Sequence, residues 1–242
     1  MAAHDHEIST AEDGCDVLPL TVPLTVYYAV QAPLVRGPEL PSLLLALHGW
    51  GQNCRRFLRD FAPLKERNIV VVAPQAPHQF YLDMATKKVG FNWLTIYDRQ
   101  QAVLDNNHYL LRLLEVVQRQ VPYHPERVVL LGFSQGSSVA YRFAVSGSVR
   151  PAGLISCCAD LPRDVALAME GAVPFPVLLA QGNGDHLVPV EKLQEACAGL
   201  DNAGYNYETF TYDGGHRITP ALVDKVGEWV EERGQRTLNG PC

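Results

Sequence analysis

Ser134, Asp185 and His216 are the residues of this chain whose surroundings suggest chemistry. Ser134 lies in Gly132-Phe133-Ser134-Gln135-Gly136, directly after the apolar run Val128-Val129-Leu130-Leu131 and directly before Ser137 to Ala144, which reads as a helix. A strand that becomes a helix in so few residues strains the backbone at the serine and leaves room only for small residues on either side. The hydroxyl is then exposed at the carboxyl edge of a sheet, and the helix amino terminus beneath it favours developing negative charge. A serine hydroxyl is a poor nucleophile at neutral pH, so this reading requires a histidine base and a carboxylate that fixes the tautomer of that histidine.

Both occur on turns after later strands. Pro176-Val177-Leu178-Leu179-Ala180 reads as a buried strand and breaks into Gln181-Gly182-Asn183-Gly184-Asp185; Tyr207 to Tyr212 reads as the next strand and ends in Asp213-Gly214-Gly215-His216. Alone, Asp185 can be a turn or capping residue and His216 a surface loop residue. Together with the serine they form a candidate triad in the chain order Ser, Asp, His, the order of the α/β-hydrolase sheet. Asp160, after Leu154 to Ala159, is the competing acid, whereas Asp98 and Asp105 read as solvated or capping. The oxyanion of a tetrahedral intermediate needs two donors. One is the N–H of Gln135. The other is expected from His48-Gly49-Trp50-Gly51-Gln52-Asn53, which follows the apolar run Leu43 to Leu47, with the glycines letting the N–H of Trp50 turn inward. His48 precedes that loop, and its expected role is to hold it by a hydrogen bond.

These segments resemble the phospholipase/carboxylesterase branch of the α/β-hydrolases, the group that includes acyl-protein thioesterases. The resemblance rests on Leu47-His48-Gly49-Trp50-Gly51-Gln52, Gly132-Phe133-Ser134-Gln135-Gly136-Ser137, Gly184-Asp185-His186-Leu187-Val188-Pro189 and Gly214-Gly215-His216, and runs from about residue 40 to the end. It implies Ser134 as nucleophile, Asp185 as orienting acid and His216 as base, the N–H groups of Trp50 and Gln135 as oxyanion hole, and Trp93 and Leu187 along an acyl channel. Two departures stand out. Acyl-protein thioesterases usually carry a further residue or two between the glycine and the catalytic histidine, and Gly136-Ser137 replaces their commoner Gly-Gly.

The elements that must hold these residues alternate. Strand-like runs interleave with helix-like segments at Arg55 to Arg67, Gln100 to Val121 and Ala221 to Glu232, which predicts an α/β fold with a mostly parallel central sheet, helices on both faces and no large lid domain. Val17 to Val35 reads as strand or hairpin at a sheet edge, where Pro19, Pro23 and Pro33 are tolerated. With 242 residues, 47% of them hydrophobic, the chain suits a single domain spanning 1–242, with residues 1–14 and 234–242 as mobile tails. The segment between Asp160 and Pro174 is too short for a helical lid. Trp50, Phe91, Trp93 and Leu187 are the side chains expected along an open groove.

A net charge of −6 argues against nucleic acid or an anionic membrane as partner. There is no apolar run long enough for stable membrane insertion and no signal-peptide pattern, so the expectation is a cytoplasmic protein, monomer or homodimer, acting on a small-molecule acyl ester or thioester. No metal or other cofactor is expected. Cys15, Cys54, Cys157, Cys158, Cys197 and Cys242 lack metal-ligand spacing and read as free thiols, and His4 and His6 as part of a frayed tail. The expected function is thus a serine carboxylesterase for short to medium acyl groups. The alternatives are another chemistry of the same fold, such as dienelactone or peptide hydrolysis, or a catalytically silent homologue that binds ligand.

Overall fold

The computed structural model describes residues 17–35 and 37–238. Its centre is a seven-stranded sheet of β1 (Tyr28–Gln31), β2 (Ser42–Leu47), β3 (Ile69–Pro74), β6 (Val128–Phe133), β7 (Gly153–Cys157), β8 (Val177–Gly182) and β9 (Tyr207–Tyr212). The spatial order is β1-β3-β2-β6-β7-β8-β9, and only β1 runs antiparallel to its neighbour. Every residue of β2, β3 and β6 is buried, because a parallel sheet is covered on both faces and its central strands must be apolar on both sides.

Side-chain alternation divides the core in two. Leu43, Leu45 and Leu47 pack with α2 (Arg99–Gln120), α3 (Gln135–Val145), α4 (Arg163–Met169) and α5 (Val190–Asn202). Leu44 and Ala46 face the opposite layer, with Phe57 of α1 (Cys54–Asp60) and Val226, Trp229 and Val230 of α6 (Pro220–Leu238). Successive strand ends β6, β7, β8 and β9 are neighbours in the sheet, so the turns that follow them, carrying Ser134, Cys158, Asp185 and His216, meet along one edge.

Several elements differ from the sequence reading. The expected helix over Arg55 to Arg67 ends at Asp60 and restarts as a 3-10 turn, Ala62–Glu66, because Pro63 has no N–H to continue the α-helical ladder. Of the expected edge segment Val17 to Val35 only Tyr28–Gln31 is strand; residues 17–24 are exposed and contain Pro19 and Pro23, which cannot donate to a ladder. The hairpin β4 (His78–Asp83) with β5 (Lys88–Asn92) was not anticipated. Its strands are mostly exposed, and their short apolar stretch Phe80-Tyr81-Leu82 is flanked by polar residues, so no buried-strand run marks them. At the carboxyl end α6 continues to Leu238 and buries Gly234 against Ser42, where a mobile tail was expected from residue 234. Residues 1–14 and 239–242, with Cys15, Cys242, His4 and His6, lie outside the described residues. Cys54, Cys157, Cys158 and Cys197 are free thiols, as expected. Among the described residues no helix is long and apolar enough to cross a membrane.

Candidate active site

Ser134 connects β6 to α3 with φ 53° and ψ −121°, a conformation that L residues avoid unless the surrounding fold imposes it. Its N–H donates to the carbonyl of Cys157 at 2.9 Å, which ties the turn to the neighbouring strand. The two flanking glycines are dictated by backbone. A Cβ on Gly132 would stand 2.2 Å from the Cα of Ser137, and one on Gly136 only 2.1 Å from the carbonyl oxygen of Leu47. The sequence expectation for these glycines therefore has a direct steric cause.

His216 is held from two sides. Its Nδ1 lies 2.8 Å from Oδ2 of Asp185, and its ring packs on Phe133, the residue before Ser134, with centroids 4.9 Å apart. Oδ1 of Asp185 accepts the N–H groups of Leu187 and Val188, each at 2.9 Å. Burial of Asp185 opposes its charge, but the Val188 N–H, the imidazole and the Leu187 N–H together outweigh that penalty, and the carboxyl is held below its ordinary range. The loops that carry the pair are joined to one another. Gly184 N–H donates to Gly214 O at 2.8 Å and Asn183 N–H to Tyr212 O at 2.9 Å, and the approach is so close that a Cβ on Gly182 would meet the carbonyls of Gly214 and Gly215 at 2.6 Å. Asp160, the competing acid, is exposed and forms no hydrogen bond with His216. Asp98 precedes α2 with a left-handed backbone but makes no side-chain cap, and Asp105 lies within that helix as acceptor for Gln101.

The loop after β2 is buttressed throughout. Gly49 N–H donates to Gln52 Oε1 at 2.7 Å, and Gly51, at φ +75°, donates to Phe91 O of the hairpin at 2.8 Å. Trp50 packs on Phe80 with centroids 5.0 Å apart, so the unanticipated hairpin supports this loop. His48 is fully buried, with Nδ1 2.8 Å from Gly49 O and Nε2 accepting Ala76 N–H at 3.1 Å; burial lowers its pKa to about 4. It acts as the expected strut in neutral form. Among the described residues no acceptor takes the N–H of Trp50 or of Gln135, the latter being the first residue of α3. The side chain of Gln135 is fixed, accepting Trp93 N–H at 3.1 Å and donating to Asn92 Oδ1 and Leu94 O.

Two depressions flank this centre. One, of about 340 Å³, is lined by Ser134, Gln135, Leu94, Ile96, Val188 and Asp160 among others. The second, of about 690 Å³, holds His216, Trp50, Arg56, Lys88 and Arg217. The expected four-residue groove does not form along either. Trp93 is a correction: its ring is fully buried, donating from Nε1 to His48 O at 2.8 Å, because an indole with a buried acceptor and a neighbouring imidazole packs inward. Leu187 is 75% exposed and lines neither depression; its N–H serves Asp185 instead. Phe91 is half-buried and also lines neither, while Trp50 lines the second.

A family model described as phospholipase/carboxylesterase matches residues 34–232. The chain belongs to the phospholipase/carboxylesterase family. It is 27% identical over 203 residues to acyl-protein thioesterase 1 of Gibberella zeae, covering 77% of this chain and 85% of that protein. Among solved structures, esterase PE8 shares the fold with a TM-score of 0.66 at 23% identity, over 86% of this chain and 99% of the other. Acyl-protein thioesterase 2 of Zea mays does so with a TM-score of 0.64 at 19% identity, over 86% and 98%.

Against that phospholipase/carboxylesterase background, Cys158 is the residue the sequence reading passed over. It follows β7 at φ 50°, its Sγ lies 3.1 Å from Tyr212 Oη, and sulfur, a carboxylate oxygen of Asp185 and a ring nitrogen of His216 fall within 4.8 Å of one another. Its position in the apolar run Leu154 to Cys158 gave it the signature of a core thiol, which it also is. Leu94, Ile96 and Val188 were missed as lining residues as well, although the apolar residues directly after Trp93 carried a signal.

Proposed function

We propose that the protein hydrolyses acyl esters and thioesters through an acyl-enzyme on Ser134. The observation that carries this is the His216–Asp185 pair, with a 2.8 Å contact, packed on Phe133 next to a serine held at φ 53°. In this mechanism Ser134 Oγ attacks the acyl carbonyl carbon while Nε2 of His216 takes its proton. Asp185 keeps Nδ1 protonated and stabilises the imidazolium. The N–H groups of Trp50 and Gln135, both without acceptors among the described residues, take the negative charge that forms on the carbonyl oxygen. Collapse breaks the carbon–oxygen or carbon–sulfur bond, and the leaving group departs with the proton from His216. Water then attacks the acyl-enzyme by the same route and returns Ser134 to its starting state.

The acyl chain is assigned to the 340 Å³ depression with Leu94, Ile96 and Val188, which suits short to medium chains. Cys158 is the other nucleophilic group near the pair, but its thiol is fully buried and burial raises its pKa, which disfavours the thiolate. Treatment with a fluorophosphonate followed by intact-mass measurement decides between them. One adduct is expected in the wild type and in Cys158→Ala, and none in Ser134→Ala. A label that persists in Ser134→Ala would sink the assignment.

A further inference from the structure

If His216 returns a proton to the departing oxygen or sulfur, the leaving group must lie on the His216 side of Ser134. That side is the larger depression, and its charge is unlike the rest of the chain. Arg56 from α1, Lys88 from β5 and Arg217 from the turn before α6 all line it, against Asp60 as carboxylate. The three cations are exposed, and none forms an ion pair among the described residues. Asp60 lies near Arg56, and Asp83 stands opposite Lys88 in the hairpin register, so the wall stays positive even when both carboxylates are counted. The whole protein carries a net charge of −6, which makes a positive wall beside His216 a local feature. The depression on the other side of Ser134 is balanced, with one arginine, Arg99, and one carboxylate, Asp160.

We infer that the positive wall selects substrates whose leaving group is anionic: acyl esters or thioesters in which the alcohol or thiol half carries a carboxylate or a phosphate away from the scissile bond. The inference rests on the Ser134–His216 reading above. The anionic group takes no part in the bond changes. The carbon–oxygen or carbon–sulfur bond breaks, its electron pair leaves with the heteroatom, the proton from His216 neutralises that atom, and the remote charge leaves unaltered. Guanidinium groups suit this role because their planar donors match either oxyanion. Because the three cations are exposed and screened, each contributes a few-fold and the set on the order of tenfold in rate at low salt.

The test is a series of esters with one common acyl chain and leaving groups of matched acidity bearing a neutral, carboxylate, phosphate or quaternary ammonium substituent on a spacer. The wild type should show kcat/KM for the anionic members on the order of tenfold above the neutral one, shrinking as salt is added, with the cationic member below the neutral. The faster of the carboxylate and phosphate members identifies the preferred anion. In the triple variant Arg56→Gln, Lys88→Gln, Arg217→Gln the anionic-to-neutral ratio should fall towards one, and in Arg217→Glu it should drop below the wild-type ratio; circular dichroism confirms that the variants fold. Equal rates for neutral and anionic members in the wild type, or a ratio that survives triple neutralisation, overturns the inference. Failure to hydrolyse any member together with failure to take a fluorophosphonate label overturns the Ser134 reading instead, so the two failures are distinguishable.

Discussion

Asp185 commits each of its carboxylate oxygens, Oδ2 to the imidazole of His216 at 2.8 Å and Oδ1 to the N–H groups of Leu187 and Val188 at 2.9 Å. A carboxylate so fixed cannot rotate, and it dictates which ring nitrogen of His216 carries the proton. Asp185→Asn keeps the shape but presents a donor to one of these partners and permits the wrong tautomer. Turnover of an acyl ester is expected to fall by roughly 10³- to 10⁴-fold. Asp160→Asn, on the far wall of the smaller depression, should lose far less. Comparing kcat for the two variants checks the assignment, and the reverse ranking would transfer the acid role to Asp160.

His48 makes stability depend on pH in a defined direction. Burial depresses its folded-state pKa from 6.5 to about 4, so the unfolded chain takes up the proton first as pH falls. Its stabilising contribution is therefore fully present above about 6.5 and is lost progressively as pH drops towards 4, on the order of 3 kcal/mol in all. Denaturant titrations at a series of pH values should show that loss in the wild type. His48→Gln is expected to be less stable at neutral pH yet flatter across the same window. An identical slope in both proteins would assign the pH dependence to other groups.

Gly136 tests the strained turn independently of catalysis. An added Cβ would meet backbone, Leu47 O at 2.1 Å and His48 O at 2.8 Å, so no side-chain rotation relieves it. Gly136→Ala should cost about 1–3 kcal/mol or more and lower Tm by roughly 2–12 °C, with turnover lost as α3 shifts away from β2. Gly171→Ala, where nothing lies within 4 Å, should leave Tm almost unmoved. Equal thermal shifts in the two variants would contradict the steric account.

What could be read from sequence divides along physical lines. The parallel strands β2, β3, β6 and β8 were legible because burial on both faces writes an unbroken apolar run, and the turns after β6, β8 and β9 because glycines mark where backbones approach. The hairpin was not legible, since no residue of His78 to Asp83 is buried and its role comes from contacts with Trp50 and Gly51 far away in the chain. Trp93 misled for a related reason. The family resemblance placed this aromatic residue along the acyl channel, and only the buried carbonyl of His48 shows that its ring points inward. Cys158 was hidden by its own apolar run, because a strand pattern does not distinguish the last core residue from the first residue of a site.

The connection between β7 and β8 sets the last expectation. It contains one helix, α4, of 7 residues, and Asp164 on that helix is clamped by Arg142 of α3 through two contacts of 2.8 Å. A segment so short and anchored cannot swing over the site as a lipase lid does, so the depression proposed for the acyl chain is expected to stay open in water with or without an interface. Each buried methylene contributes at most about 0.8 kcal/mol, or roughly fourfold in rate, and the gain must stop when the 340 Å³ depression is full. Rates for p-nitrophenyl esters should therefore rise a few-fold per carbon from acetate, reach a maximum at short to medium chains and fall towards palmitate. They should also show no jump at the concentration where the longer esters form micelles, and no change when a metal chelator is added. Measuring the series below and above that concentration provides the check. A sharp increase at the aggregation point, confined to the long chains, would mean that some part of the described surface does move, and would refute the open-site account.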